Sequence, residues 1–176
     1  MDYQKLHTYT LEQLFGPMKG HIIRQDDRIR IIHLKDKKGV SKTLAVVRFL
    51  NVKNKALKLV HEKIQTGSLL GKTLYDSDID FDKEFLGTIH VKLPDWLMKE
   101  FNTQQNSSVV QYSKIIVCDG SLLNENFIYS ELIEIVPPEL KDLFINKKKL
   151  ITIVDENLLS LLKEVDLIAI NEKNIL

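Results

Sequence analysis

Residues 28–50 read RIRIIHLKDKKGVSKTLAVVRFL and predict a β-hairpin. Residues 28–34 and 43–50 are rich in β-branched and apolar side chains, which favour strands. The polar residues 36–39 between them end in glycine, as a hairpin turn requires. Two strands this close in sequence pair antiparallel, so the fold starts from an antiparallel sheet.

The rest of the chain adds strands and short helices to this hairpin. An extended segment is predicted to begin at residues 22–24. Further strands are predicted over residues 85–93, 109–118 and 126–136, with a short one over 150–154. Helices are predicted over residues 11–15, 57–64, 96–101 and 156–165. A turn at Asp119–Gly120 joins two of the strands. This order predicts an α+β domain with a single antiparallel β-sheet and helices packed on one side.

Composition limits the function. A chain of 176 residues suits a single domain over residues 1–176. A net charge of +1 gives no electrostatic basis for binding nucleic acid. No apolar run reaches the roughly 20 residues of a membrane span. The lone Cys118 forms no internal disulfide, which favours a reducing, cytoplasmic location. Oligomeric state stays open.

Residues 67–75, GSLLGKTLY, come close to a phosphate-binding P-loop. The motif needs four residues between its first glycine and the Gly-Lys-Thr, and only three separate Gly67 from Gly71. A helix-like stretch, residues 55–65, also precedes the loop where a buried strand should be. These departures argue against a nucleotide-hydrolysing enzyme.

No metal ligand set is predicted. Four alternating aspartates, Asp76, Asp78, Asp80 and Asp82, lack the glycine and glutamate that a calcium loop needs at its sixth and twelfth positions. The five histidines show no zinc-site spacing. We expect the aspartates to form a solvated loop or edge strand, with no metal and no cofactor.

Charged residues inside apolar strands are the most informative feature. Arg30 and Arg48 lie on neighbouring strands, and arginine is seldom buried without a partner. Guanidinium groups bind carboxylates through paired, charge-assisted hydrogen bonds. Glu131 and Glu134 lie on another strand and are three residues apart, so their side chains point to opposite faces. At most one of them is expected to face a pocket.

The order of these residues resembles the chorismate lyase family. Arg48 is followed 22 residues later by Leu70–Gly71 and then by an aromatic-containing turn. A hairpin through Asp119–Gly120 and a strand glutamate before Pro137 come next. The resemblance covers about residues 27–138 and leaves 139–176 as a C-terminal extension of unknown role. The family shares its fold with the effector-binding domains of some transcription regulators.

Residue by residue, the match is uneven. The strand of Arg30 resembles the first arginine strand of the family. Glu131 resembles the family glutamate by its neighbours Ser130 and Leu132, whereas Glu134 resembles it by its distance to the prolines. The resemblance therefore implies one catalytic glutamate and does not choose between the two.

Family members convert chorismate to 4-hydroxybenzoate and pyruvate, the entry step to the biosynthesis of quinones such as ubiquinone and plastoquinone, and use no cofactor. The resemblance implies that Arg30 and Arg48 bind the carboxylates of this small di-acid. It implies that the backbone at Leu70 and Gly71 supports the ligand. It places the lyase in the cytoplasm, or in a plastid stroma. The alternative is a non-catalytic module of the same fold that binds a small carboxylate.

Overall fold

The computed structural model describes residues 6–53, 55–77, 79–119 and 125–170. Its strands are β1 (Lys19–Gln25), β2 (Ile29–Lys35), β3 (Ser41–Phe49), β4 (Phe81–Lys92), β5 (Ser107–Asp119), β6 (Glu125–Ile135) and β7 (Ile168–Ala169). Its α-helices are α1 (His7–Phe15), α2 (Lys55–Gln65), α3 (Leu70–Tyr75), α4 (Asp95–Phe101), α5 (Lys141–Phe144) and α6 (Glu156–Lys163), with 3-10 turns at Pro138–Leu140 and Lys147–Lys149. No helix in these ranges is long and apolar enough to cross a membrane.

All seven described strands belong to one antiparallel sheet with the order β1-β2-β3-β6-β5-β4-β7. The predicted hairpin is confirmed as β2 and β3. The predicted hairpin of β5 and β6 is confirmed by their pairing, although Gly120 of its expected turn lies outside the described residues. The α+β class and the single antiparallel sheet are therefore correct.

Helices cover both faces of the sheet, so the predicted one-sided arrangement is wrong. On one face, called the back face, Ile31, Val46 and Ile133 pack against α4 and α6. On the other, called the front face, Val47 and Leu132 pack against α2 and α3. Leu34 packs there against α1 and α5. The burial of β2 and β3 agrees with this, because both strands are buried at nearly every position and therefore on both faces.

The C-terminal extension divides between the two faces. Helix α5 packs on the front face through Phe144. Helix α6 packs on the back face through Leu158, Leu161 and Leu162. The side chain of Asp155 caps α6 by accepting a hydrogen bond of 2.8 Å from the backbone N–H of Leu158.

Four elements differ from the sequence expectation. The strand predicted over residues 150–154 is absent, and this segment forms only an isolated bridge between Leu150 and Thr88. Helices α3 and α5 and strand β7 were not predicted. All three are short, and β7 exists only through its pairing with Val91 and Lys92 of β4.

Candidate ligand-binding site

The two strand arginines point to opposite faces of the sheet. Arg30 lies opposite Val47, and Arg48 lies opposite Ile29. The register shifts by one residue between Leu34 and Lys35, so Lys42 is an extra residue in β3. Without this bulge Arg48 would share a face with Arg30, because strand side chains alternate with a period of two. The expectation that both arginines hold one ligand is therefore not met.

Glu131 and Glu134 also face opposite ways, as their spacing predicts. Glu131 joins Arg48 on the back face, where Oε2 lies 3.5 Å from Nη1 of the arginine. Lys114 lies 3.8 Å from Oε1 of Glu131, and the hydroxyl of Tyr112 donates to that oxygen at 3.2 Å. Burial, with Glu131 close by, raises the pKa of Tyr112, so the hydroxyl keeps its proton and remains a donor. This back-face cluster is satisfied internally.

The front face holds a cavity of about 50 Å³ that contains the other four predicted site residues. These are Arg30, Leu70, Gly71 and Glu134. The sheet forms its floor through Ile32, Val47 and Leu132. Leu6, Leu69 and Leu70 cover it as a roof. The result is a largely apolar chamber with charged side chains from three strands, which are Arg30 of β2, Lys83 of β4 and Glu134 of β6.

Arg30 is buried with only part of its guanidinium satisfied. Arg30 is only 1 % exposed. Its Nη1 donates hydrogen bonds to the carbonyl oxygens of Ile64 at 2.9 Å and Ser68 at 2.8 Å. Nε and Nη2 have no hydrogen-bond partner, and no carboxylate of the described residues forms an ion pair with Arg30. Burial lowers its pKa to about 10, so the group stays charged at neutral pH.

A structural role explains the hydrogen bonds that Nη1 of Arg30 makes. The carbonyl of Ile64 lies in the last turn of α2, where a cation interacts favourably with the helix dipole. That role uses Nη1 alone. Two buried donors of a charged group without partners carry a desolvation cost that an anion in the cavity would offset.

An ion pair lies in another part of the same cavity. Nζ of Lys83 lies 2.6 Å from Oε2 of Glu134, and Nδ1 of His7 lies 3.9 Å from the same oxygen. Burial raises the pKa of Glu134, but His7 and Lys83 together lower it further, so the carboxylate is ionised at neutral pH. Burial lowers the pKa of His7 more than Glu134 raises it, so the imidazole is neutral at pH 7.

The role of Gly71 differs from the one that the resemblance implies. A Cβ atom at Gly71 would lie 3.1 Å from Cδ2 of Leu6. The missing side chain therefore lets Leu6 close over α3 and complete the roof.

The cavity is smaller than an aromatic ring needs. An engineered apolar cavity of about 150 Å³ holds benzene, three times the space present here. The roof must therefore move before a ring can enter.

His7 and Lys83 were missed by the sequence analysis. Lys83 meets Glu134 across 51 residues, so no local spacing marks the pair. His7 was one of five histidines without a motif. Only the position of α1 over β5 and β6 brings it to the cavity, where its ring centroid lies 4.5 Å from that of Phe144.

A second polar cluster has the residue types of a hydrolase but no access. Nδ1 of His33 lies 2.6 Å from Oγ of Ser41, and Nε2 lies 3.9 Å from Glu100. Ser41 is fully buried, and Oγ donates to the carbonyl of Thr43. A nucleophile that no substrate reaches performs no catalysis, so this cluster has a structural role.

Metal and nucleotide sites receive no support. Across the described ranges no three His, Cys, Asp or Glu side chains are grouped to hold a metal ion. Asp76, Asp80 and Asp82 are exposed, as expected, and Asp78 lies outside the described residues. Helix α2 precedes the glycine-rich stretch at residues 67–75, where a P-loop requires a strand.

Comparison with known proteins adds no family assignment. No protein-family model matches the chain, and no curated protein matches it.

Proposed function

We propose that this chain is a chorismate pyruvate-lyase-like enzyme that converts chorismate to 4-hydroxybenzoate and pyruvate. One observation carries the proposal: Arg30 lines a buried, largely apolar cavity, and two of its guanidinium nitrogens have no hydrogen-bond partner. An aromatic or cyclohexadienyl carboxylate supplies both the anion and the apolar ring that such a chamber accepts.

The positions of Arg30 and Glu134 define how the ligand would lie. Arg30 is opposite Val47, which is opposite Leu132, and Glu134 is two residues further along β6. Two strand spacings and two residues separate the backbones of Arg30 and Glu134 by about 12 Å. Once the roof has moved, one six-membered ring would span the space between their side chains. The ring carboxylate would bind Arg30, and the ring hydroxyl would lie at Glu134.

This orientation suits the elimination. The C–O bond between ring and enolpyruvyl arm breaks, a ring proton leaves, and the released enolate takes a proton to become pyruvate. Atoms balance without a co-reactant, and the ring becomes aromatic. Glu134 is an ionised carboxylate at the hydroxyl end, so it is the group placed to accept the ring proton. The closed roof would exclude water.

The runner-up is a non-catalytic module that binds a small carboxylate. The observation that favours it is the size of the cavity, about 50 Å³, together with the pairing of Glu134 to Lys83. A paired carboxylate is a weaker base than a free one. In this case the cavity would bind 4-hydroxybenzoate and leave chorismate unchanged.

The deciding experiment compares two arginine variants. Purified protein is incubated with chorismate, and 4-hydroxybenzoate is followed by chromatography. We expect Arg30→Ala to lower kcat/KM by about 100-fold or more, since it removes charge-assisted hydrogen bonds to the substrate. Arg48→Ala is the matched control, because it lies on the adjacent strand and faces away from the cavity.

Each result has a clear reading. No product above the spontaneous background, with 4-hydroxybenzoate still raising the melting temperature, replaces the enzyme by the binding module. Equal activity in wild type and Arg30→Ala rejects the cavity as the site. A larger loss of activity in Arg48→Ala than in Arg30→Ala would move the site to the back face.

A role in quinone biosynthesis and a cytoplasmic location follow from the resemblance and belong to the same proposal.

A further inference from the structure

The imidazole of His7 has hydrogen-bond acceptors on both sides. Its Nε2 lies 2.6 Å from Oγ1 of Thr43. The hydroxyl of Thr43 donates to the carbonyl oxygen of Lys42 at 2.6 Å, so its oxygen is left to accept a hydrogen bond. On the other side of the ring, Nδ1 lies 3.4 Å from Oε1 of Gln111 and 3.9 Å from Oε2 of Glu134. Both ring nitrogens therefore face oxygen atoms.

The orientation of the Gln111 amide is fixed by a second contact. Its Nε2 donates to the carbonyl oxygen of Phe144 at 2.8 Å, and a flipped amide would set two oxygens against each other. Gln111 is therefore an acceptor for His7. A neutral imidazole has a single N–H for the two sides of the ring, whereas the imidazolium donates from both nitrogens. The surroundings of His7 therefore match its protonated form.

Burial keeps His7 neutral in these surroundings. The charged side chains recorded against its ring are Glu134 of β6 and Lys83 of β4. The groups against it that do not titrate are Thr43 of β3, Gln111 of β5 and Phe144 of α5. Burial lowers the pKa of His7, Glu134 raises it, and Lys83 lowers it again. His7 is thus neutral at pH 7 although its neighbours suit the form that carries a second proton.

Glu134 is a less suitable place to keep a proton. Its Oε2 lies 2.6 Å from Nζ of Lys83, so protonation of the carboxylate would remove the recorded counterion of a buried ammonium group. Transfer of that proton to Nδ1 of His7, 3.9 Å from Oε2, would restore the ion pair. Both His7 and Glu134 line the front-face cavity, so a proton released there has a path from one to the other.

We infer that His7 is the proton-storing residue of the front-face cavity, which takes the ring proton from Glu134 and holds it at Nδ1. The inference rests on the proposed function and adds a residue to it. The ring C–H bond breaks and its electron pair forms the double bond that makes the ring aromatic. The C–O bond breaks with its electron pair on the enolate oxygen. The stored proton then passes to the enolate carbon, so pyruvate leaves and His7 is neutral again.

Steady-state kinetics of the full chain with chorismate test this role. Glutamine at position 7 keeps a neutral hydrogen-bonding side chain but takes up no proton. We expect His7→Gln to lower kcat about 100-fold and to leave KM within about twofold, because proton transfer is lost and binding is kept. His61→Gln is the matched control. Burial also lowers the pKa of His61, but this residue does not line the cavity, so its kcat should equal that of the wild type.

The pH profile separates proton storage from a packing role. In the wild type, kcat should fall on acidification through the pKa of His7, below its ordinary 6.5, because an imidazolium accepts no further proton. The His7→Gln variant should lack this acid limb. NMR titration of the imidazole in the presence of 4-hydroxybenzoate measures the same pKa directly and should find His7 neutral at pH 7.

Thr43→Val is a second variant, which covers the case that His7→Gln does not fold. Valine has nearly the shape of threonine but cannot accept from Nε2. Loss of this acceptor disfavours the imidazolium, so the pKa of His7 should fall and kcat should drop about tenfold.

The outcomes separate the inference from the proposed function. Full kcat in His7→Gln, an acid limb that persists in this variant, or unchanged kcat in Thr43→Val overturns the storage role and leaves the lyase in place. An imidazolium at pH 7 in the wild type overturns it as well, since that ring has no free nitrogen. Absence of 4-hydroxybenzoate above the spontaneous background in the wild type overturns the proposed function, and the inference falls with it.

Discussion

Arg30 and Arg48 show how position decides the use of one residue type. Arg48 meets the carboxylate of Glu131 and donates to the carbonyl of Asn157 at 3.4 Å. Arg30 meets only carbonyl oxygens and keeps its charge without a counterion among the described residues. The charge of Arg48 is therefore already compensated by a carboxylate of the protein. An uncompensated buried cation costs stability until an anion binds.

Buried histidines make the stability of this protein depend on pH. Burial lowers the pKa of His33 from 6.5 to about 4, and it also lowers the pKa of His7 and of His61. Between pH 4 and 6.5 the unfolded chain binds a proton at His33 and the folded chain does not. Stability therefore rises with pH through this window and is lost on acidification.

We expect His33→Gln to remove much of this acid sensitivity. The shift of the His33 pKa corresponds to on the order of 3 kcal/mol of unfolding free energy lost toward acid pH. Urea unfolding at about pH 7 and about pH 4.5 measures it. The control is His90→Gln on β4, four strand positions from β2. An undiminished pH dependence in His33→Gln would contradict the assignment.

At the scale of elements, the segment after α5 is anchored by one glycine of β4. A Cβ atom at Gly87 would lie 2.6 Å from Cγ1 of Ile151 and 2.7 Å from the carbonyl oxygen of Lys149. The backbone N–H of Ile151 also donates to the carbonyl of Thr88 at 2.8 Å. The close approach at Gly87 replaces the strand that the sequence predicted over residues 150–154.

Gly87→Ala should therefore destabilise the protein by about 1–3 kcal/mol, because a backbone oxygen cannot rotate away from the new methyl group. Gly71→Ala is the comparison. Its nearest neighbour is the flexible side chain of Leu6, at 3.1 Å, so the cost should be smaller. Equilibrium unfolding in urea ranks the two variants. A greater loss in Gly71→Ala would show that the roof is more rigid than the C-terminal segment.

At the scale of the whole molecule, the sheet separates stability from binding. The back face has an apolar core under α4 and α6, beside the cluster of Arg48, Glu131 and Lys114. The front face holds the cavity that Arg30 and Glu134 line. A change on the back face should alter stability without altering the ligand site, since distant sites contribute independently.

Leu161→Ala tests this separation. Leu161 is fully buried in α6, so the truncation should cost about 2–5 kcal/mol. The affinity of the Leu161→Ala variant for 4-hydroxybenzoate, measured well below its melting temperature, should equal that of the wild type. Leu132→Ala is the matched truncation on the front face, where Leu132 lines the cavity. It should change both stability and affinity, and equal effects of the two variants on affinity would contradict the division.

The parts of the fold set by local pattern were predictable. The turn at residues 36–39, the apolar strands on each side and the amphipathic helix α2 follow from residue type and periodicity. Helix α3 carries no side-chain cap, and β7 has two residues, so neither has a local signal. The two-sided cover of the sheet has only a weak local signal, the consecutive apolar residues 44–47 of β3, because Arg30 and His33 interrupt the apolar residues of β2.

The sequence by itself determined that Glu131 and Glu134 face opposite ways, because the alternation of strand side chains depends only on spacing. It also determined that two arginines lie in apolar strands and need a reason to be there. Only the tertiary structure decided which arginine faces the cavity, because one extra residue in β3 reverses the parity of Arg48. It alone brought His7 and Lys83 to Glu134, because contacts between distant segments depend on packing and leave no spacing in the sequence.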